Sequence, residues 1–464
     1  MVGSSARGFS RRAFLHLSGM LVSGAALAAC GGGAASPTAA PKAAEPAKPA
    51  SGATPTAQAA QAPATTAGKA KGVTLRMLAW AGYKGDGLKP WLPDFEKELG
   101  GKVELDLVPG NNLTEKQMVT FSGKTGDFDV TPVDEPNLPA MAPFVVQLDS
   151  LIAADKLDKE DWIPVIWDAG VYEGKTYLIA FDPNVQILYA RKDVLDAKGL
   201  KIPEKWTELY ETARKAQEKD KDLAGLAIMA KRDIQTGINA WNFITTWGNE
   251  IFDADHRVAF DNEKSYDALA FFKKIVDEIT PQGILGYDYA GVNTAMQQGK
   301  VIFLQNWASV TLSIVAPPDG NTKVKDKVAF APVLGQEKRH SMRGVWSMGI
   351  NADSKNREAA WEFTKWFTSK DGSLKYVKGG SGNSPRQSVL KSAEFKQLAP
   401  HAEALATTIG MAKKRPIYKE YQEIQQVLDI MASKVTTGEA APKDAVKEAA
   451  KNLTDIMKRG GYQK

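Results

Sequence analysis

Val73-Thr-Leu-Arg-Met-Leu-Ala-Trp80 opens in strict apolar–polar alternation and stops just short of Gly82. Period two bounded by glycine predicts a strand. The run 88–99 has helical spacing, and Val103-Glu-Leu-Asp-Leu-Val108 alternates again. A helix ending at 119–124 then precedes Phe128-Asp-Val-Thr-Pro-Val133. Strands that alternate with helices predict an α/β fold with a parallel sheet. Ligands of such sheets bind beyond the carboxyl ends of the strands. Trp80, Asp134 and Glu135 stand at those ends.

The pattern continues along the chain. Gly174-Lys-Thr-Tyr-Leu-Ile-Ala-Phe181 and Asp182-Pro-Asn-Val-Gln-Ile-Leu-Tyr189 read as two strands joined by a turn. Helices are predicted over 206–219 and 265–278, and buried strands over 301–305 and 328–331. Tyr421, Ile424, Leu428, Met431 and Val435 repeat at helical intervals, as do Val446, Ala449, Ala450, Leu453 and Met457. Gly460-Gly461 closes the last of these helices. No internal repeat is present. At 464 residues the chain exceeds one ordinary domain, so two compact units are expected.

The first residues read as an address. Arg11-Arg12 precedes an apolar run from Leu15 to Ala29 that contains no acid. This is an export signal, and its paired arginines resemble a twin-arginine signal. The run is shorter than the ~20 apolar residues of a transmembrane helix. An ordinary export signal with two chance arginines is the alternative. Leu27-Ala28-Ala29-Cys30-Gly31 resembles a bacterial lipobox, which would make Cys30 the lipidated residue. Cys30 is the single cysteine, so no intramolecular disulfide competes for it. The stretch 31–72 is almost entirely Ala, Pro, Thr, Gly, Ser and Lys without an aromatic, a composition that cannot bury enough surface to order itself. It reads as a tether that lifts a folded body off a membrane.

Formal net charge is +5, and removing Arg7, Arg11 and Arg12 with the signal leaves +2. So small a balance argues against nucleic acid as a partner. His16, His256, His340 and His401 are the only histidines, and none is paired at metal-ligand spacing. No metal or other cofactor is expected.

Several stretches together resemble the extracellular solute-binding family that includes maltose-binding proteins. They are Tyr172-Glu-Gly-Lys-Thr-Tyr177, the run 180–189, Arg191-Lys192-Asp193, and Gly199-Leu-Lys-Ile-Pro-Glu-Lys-Trp206. Ala295-Met-Gln-Gln-Gly299-Lys300 is followed by Gln305-Asn306-Trp307, and Gly344-Val-Trp346-Ser-Met-Gly-Ile350 by Lys355-Asn-Arg-Glu-Ala-Ala-Trp-Glu-Phe363. The resemblance spans nearly all of 73–464 and rests on order and spacing. It implies a two-lobed periplasmic-binding-protein-like fold, with a ligand cleft between lobes joined by crossing strands. The crossings fall near 180–184, 344–347 and 379–383. The expected organisation is 1–29 export signal, 30–72 lipidated cysteine and tether, 73–181 plus 347–380 lobe 1, and 182–346 plus 381–464 lobe 2. The implied role is the lipid-anchored, extracytoplasmic receptor of an ABC importer. It would act as a monomer, capture a sugar or polyol, and hand it to the permease subunits.

A sugar offers C–H faces to aromatic rings and a hydroxyl rim to carboxylates, amides and arginine. Hydrogen bonds to charged groups contribute ~1.5–3 kcal/mol each, about twice the neutral value. By the resemblance the ligand-binding residues are Trp80, Tyr83, Asp134, Glu135, Asp182, Asn184, Asn239, Trp241, Trp307, Arg343 and Trp346. Two departures from the family pattern fall here: Ala-Gly-Tyr after Trp80, and Asp182-Pro-Asn184. The bland reading of each tryptophan is packing between lobes, and of each carboxylate a cap or salt bridge. Trp162, Trp167, Trp206, Trp361 and Trp366 read as core. A secreted glycosidase would need two opposed carboxylates, for which Asp134, Glu135 and Asp182 are available, but no catalytic signature accompanies them. Gly379-Gly-Ser381-Gly-Asn383 only half-matches a nucleophile elbow. The same fold could instead take a peptide, polyamine, oxyanion or metal. A structural or adhesive protein would show long solvated repeats.

Overall fold

The computed structural model describes residues 68–463 apart from 218–221, 318 and 381, with Tyr83 and Asn111 as backbone alone. The export signal, Cys30 and nearly all of the tether lie outside the described residues. The described strands are β1 (Thr74–Trp80), β2 (Lys102–Val108), β3 (Val130–Asp134), β4 (Val171–Tyr172), β5 (Lys175–Thr176) and β6 (Leu178–Arg191). They continue with β7 (Ala224–Ala227), β8 (Val301–Trp307), β9 (Val328–Ala331), β10 (Ser341–Ile350) and β11 (Ala412–Lys413).

The sheet order is β2-β1-β3-β10-β6-β8-β7, with β9 also on β6 and β11 on β10. β1 runs parallel to β2 and β3, as the helix–strand alternation predicts. β6 and β10 pair antiparallel with each other and are shared between the two halves of the molecule. At one end β10 pairs β3, while at the other β6 pairs β8 and β9. This is the α/β, two-lobed fold that the resemblance implied, with the first two of the three expected crossings built as one paired ribbon.

Two details differ from the sequence reading. The turn expected between the runs ending at Phe181 and beginning at Asp182 is absent, and β6 runs unbroken for 14 residues. Proline lacks a ladder donor but tolerates extended backbone where pairing is one-sided. At Pro183 it is one-sided: Pro183 faces Val345 on β10, and β8 joins β6 only from Gln186 onward. The ladder is already irregular there, because register shifts between Trp346 and Ser347 and leaves Phe181 as an extra residue. The single helix expected over 88–99 is instead Tyr83–Leu88, a 3-10 turn Lys89–Trp91, and Leu92–Leu99. Pro90 and Pro93 lack the N–H that a continuous helix would need there.

Side-chain alternation along β6 splits the interior. Ile187 and Tyr189 face a core that extends from Leu75, Met77, Val133, Ile179, Met348 and Phe363 through to Met296 and Leu304. Leu188 and Ala190 face a second core with Trp206, Phe243, Phe272, Phe303, Leu428 and Leu453. The terminal helices Tyr421–Thr437 and Pro442–Arg459 seal that second core, as their stripes predict. Trp162, Trp206 and Trp361 are buried, and Trp167 and Trp366 lie partly buried against the first core.

Candidate functional site

β3, β10 and β6 bring three of the expected residues into one row: Trp346 pairs with Asp134 on one side and Asp182 on the other. Trp80, at the carboxyl end of β1, meets Trp346 edge to face with ring centroids 4.5 Å apart. Between these indoles lies Lys84, from the helix Tyr83–Leu88. Its Nζ is 4.6 Å from the Trp80 ring centroid and 4.7 Å from that of Trp346. The same nitrogen is 3.5 Å from Asp182 Oδ2. Asp182 is fully buried, and its Oδ1 accepts the Asn383 backbone N–H at 3.0 Å. Burial pushes the Asp182 carboxyl above the usual range, against the opposing pull of Lys84 and the Asn383 amide. Tyr83 opens the helix, and its side chain lies outside what the structure describes.

Asp134 and Glu135, at the end of β3, each meet an arginine. Arg415 donates from Nη1 to Asp134 Oδ2 at 2.8 Å and from Nη2 to Asp134 Oδ1. Arg343 donates from Nε to Glu135 Oε2 at 3.0 Å and from Nη2 to Glu135 Oε1, and its Nη1 reaches the Val165 carbonyl. Both pairs are bidentate, the strongest geometry for a guanidinium and a carboxylate. Asp168 continues the network, 2.9 Å from Lys414 Nζ and 3.6 Å from Arg343 Nη2. Beside it the Gln422 amide donates to Asn137 Oδ1 at 2.6 Å.

Trp307 ends β8. Its indole N–H donates to Gln235 Oε1 at 2.8 Å, and its ring lies flush on Gly344. A Cβ at Gly344 would come within 2.7 Å of Trp307 Cζ3, so only glycine fits under the ring. Asn184 ties β6 to the turn after Trp307, donating to Ser309 Oγ at 2.8 Å and accepting the Ser309 N–H at 3.2 Å.

The structure thus gathers Trp80, Asp182 and Trp346 around Lys84, sets Asp134, Glu135 and Arg343 in the adjoining ion pairs, and places Trp307 and Asn184 across Gly344. Asn239 and Trp241 are on the buried helix Ile234–Thr246, whose Gln235 accepts the Trp307 indole N–H. The Asn239 amide donates to the Met229 carbonyl at 3.0 Å and accepts from Gln186. Trp241 sits in the second core with His340 at 6.0 Å. Sequence reasoning missed Lys84 and Arg415. Lys84 follows Trp80 by four residues, a spacing that any solvated lysine can have. Arg415 ends Lys413-Lys-Arg415, a run that reads as solvated although Arg415 is buried.

Two α/β halves sharing a hydrogen-bonded ribbon, with aromatic and charged side chains gathered along it, define the class of two-lobed solute receptors. The chain belongs to the bacterial extracellular solute-binding protein family, whose model matches residues 79–373. That membership makes it an extracellular solute-binding protein. It is 26% identical over 286 residues to "Probable amino-acid ABC transporter periplasmic-binding protein y4oP" of Sinorhizobium fredii, a match covering 61% of this chain and 64% of that protein. The chain therefore spans just under two thirds of that relative. It is 26% identical over 384 residues to the mannitol-binding protein of Pseudomonas aeruginosa, covering 76% of this chain and 86% of that one. Its fold matches an ABC transporter solute-binding protein of Agrobacterium radiobacter K84 in complex with ribitol. The TM-score is 0.78 at 26% identity, over 83% of this chain and 99% of that chain.

Proposed function

We propose that this protein captures a neutral sugar or sugar alcohol between its lobes and delivers it to the membrane subunits of an ABC importer. The observation that carries the reading is charge balance. Asp134 is paired with Arg415, Glu135 with Arg343, and Asp182 with Lys84. A zwitterionic amino acid would have to break two buried pairs to find partners of its own, at a cost of several kcal/mol. A polyol keeps the pairs intact, accepts from and donates to their remaining valences, and lays its C–H groups on the indoles. The mannitol- and ribitol-binding relatives point the same way, while the relative named for amino acids supports the competing ligand. Calorimetric titration with mannitol, ribitol, common pyranoses and free amino acids decides between them. Saturable heat with a polyol or sugar is expected. Binding of an amino acid alone would overturn the reading.

The same proposal extends to the rest of the molecule. Ligand-binding residues are Trp80, Tyr83, Asp134, Glu135, Asp182, Asn184, Trp307, Arg343 and Trp346, joined by Lys84. Asn239 and Trp241, on the helix whose Gln235 holds the Trp307 indole N–H, complete the proposed set. The lobes comprise 73–181 with 347–380, and 182–346 with 381–464. The shared β6–β10 ribbon supports a hinge between them. The protein binds without catalysis and acts as a monomer. The lipobox-like Leu27-Ala-Ala-Cys30 supports a lipid anchor, and Arg11-Arg12 supports twin-arginine export.

A further inference from the structure

We propose that Trp80, Trp346 and Asp182 form an ammonium box, that Lys84 fills it from within the chain, and that Lys84 thereby excludes amines from the site. Two indoles meeting at 77° turn their faces toward one point, and the Lys84 ammonium sits near 4.6 Å from both centroids. Electron-rich faces at that distance attract a cation. The third wall is a carboxylate with no exposure to solvent. Its Oδ1 is taken by the Asn383 N–H, whereas Oδ2 has no hydrogen-bond partner among the described residues. Lys84 stands 3.5 Å from that oxygen, outside the 2.7–3.2 Å of a good N–H···O bond. The lysine stem is rooted in a six-residue helix and holds the charge in the box without closing on the acid. A free primary ammonium has no stem and can close that gap.

Two faces and a buried acid are the recognition chemistry of a primary ammonium, and a polyol does not require it. With Lys84 in place, an incoming amine meets like charge, while a hydroxyl meets an N–H donor. Lys84 is then the specificity-determining residue that keeps the site for neutral ligands. This last step rests on the proposed polyol reading; the box itself does not.

The test is chemical rescue. Lys84→Ala empties the box, and n-butylammonium and n-butanol offer the same chain with and without the charge. The amine should raise the melting temperature of Lys84→Ala and change its tryptophan fluorescence, the alcohol should do neither, and the wild type should respond to neither. Adding Asp182→Asn should abolish the rescue. Equal response to amine and alcohol, or rescue that survives Asp182→Asn, would overturn the box. If Lys84→Ala does not fold, the wild type still decides. Its Lys84 ammonium protons should resonate upfield of those of other lysines because of the indole ring currents, and a resonance among the solvated lysines would refute the placement. Selectivity is read separately. Glucosamine should gain on glucose by about tenfold or more when Lys84 is removed, as expected for loss of a like-charge contact. No gain would refute the exclusion role. If neither protein binds glucose or any other sugar while the amine rescue holds, the polyol reading fails and the box stands.

Discussion

Removing the guanidinium of Arg415 should destabilise the protein far more than removing the whole pair it forms. Arg415 is 3% exposed and Asp134 9%, and the two bonds between them are parallel. Arg415→Met keeps most of the stem and leaves the buried Asp134 charge without its partner. Breaking a buried pair from one side costs about 3–5 kcal/mol, because the surviving charge loses both its solvent and its partner. Asp134→Leu should cost a similar amount by stranding the arginine. The double variant has no stranded charge, so its loss should be about 1 kcal/mol or less. The cycle therefore predicts a coupling of several kcal/mol, well above the roughly 0.5 kcal/mol scatter of independent sites. Urea unfolding followed by tryptophan fluorescence and far-ultraviolet dichroism measures it, with coincident transitions as the check on two-state behaviour. Additive losses would refute the reasoning, since they would mean that water reaches both charges and that the pair does not lock Arg415 to the end of β3.

Trp346→Ala should weaken ligand binding about ten- to a hundredfold, on the scale of 1–3 kcal/mol for one lost stacking face. Trp307→Ala should also lower stability, by about 3–5 kcal/mol, because its ring fills the space over Gly344. Titration beside a melt of each separates the two effects, and wild-type affinity in both variants would show that neither ring contacts the ligand. Burial holds the His401 pKa down at about 3. With a folded pKa below the ordinary value of about 6.5, the unfolded chain binds the extra proton. The stabilising effect of neutral His401 is thus complete above pH 7 and fades as pH falls, by roughly 1.4 kcal/mol per pH unit below 6. The stability difference between wild type and His401→Gln should shrink along that slope, and a pH-independent difference would contradict it. Cys30→Ala should move the protein from the membrane to the soluble fraction, and retention at the membrane would place the anchor elsewhere.

The repeating units were legible because burial follows period. β1, β2 and β9 lie within a residue of their expected bounds, and the two terminal helices carry the stripes that the core needs. Residues whose role depends on their neighbours were not. Asp182-Pro-Asn184 has the chemistry of a turn, and one-sided pairing at Pro183 lets the strand continue through it. At the site, sequence singled out indoles and carboxylates because few alternatives suit such side chains near strand ends. It passed over Lys84 and Arg415 because basic side chains are usually solvated and nothing local distinguishes a buried one.

The ribbon of β6 and β10 has a mechanical consequence. A joint made of free chain would gain conformational entropy whenever the halves part, and every ligand would have to offset that gain on closing. Here the joint is a ladder, hydrogen-bonded from Leu178 with Gly349 to Val185 with Arg343, and interrupted at one place, between Trp346 and Ser347. Such a joint behaves as a stiff strip with one soft spot. It bends and twists where the register slips and resists shear everywhere else. In the proposed hinge motion, strain would fall at this irregular point while the rest of the ladder stayed paired and ordered. The one irregularity of the β6–β10 ladder thus falls at a residue that also forms a wall of the box around Lys84.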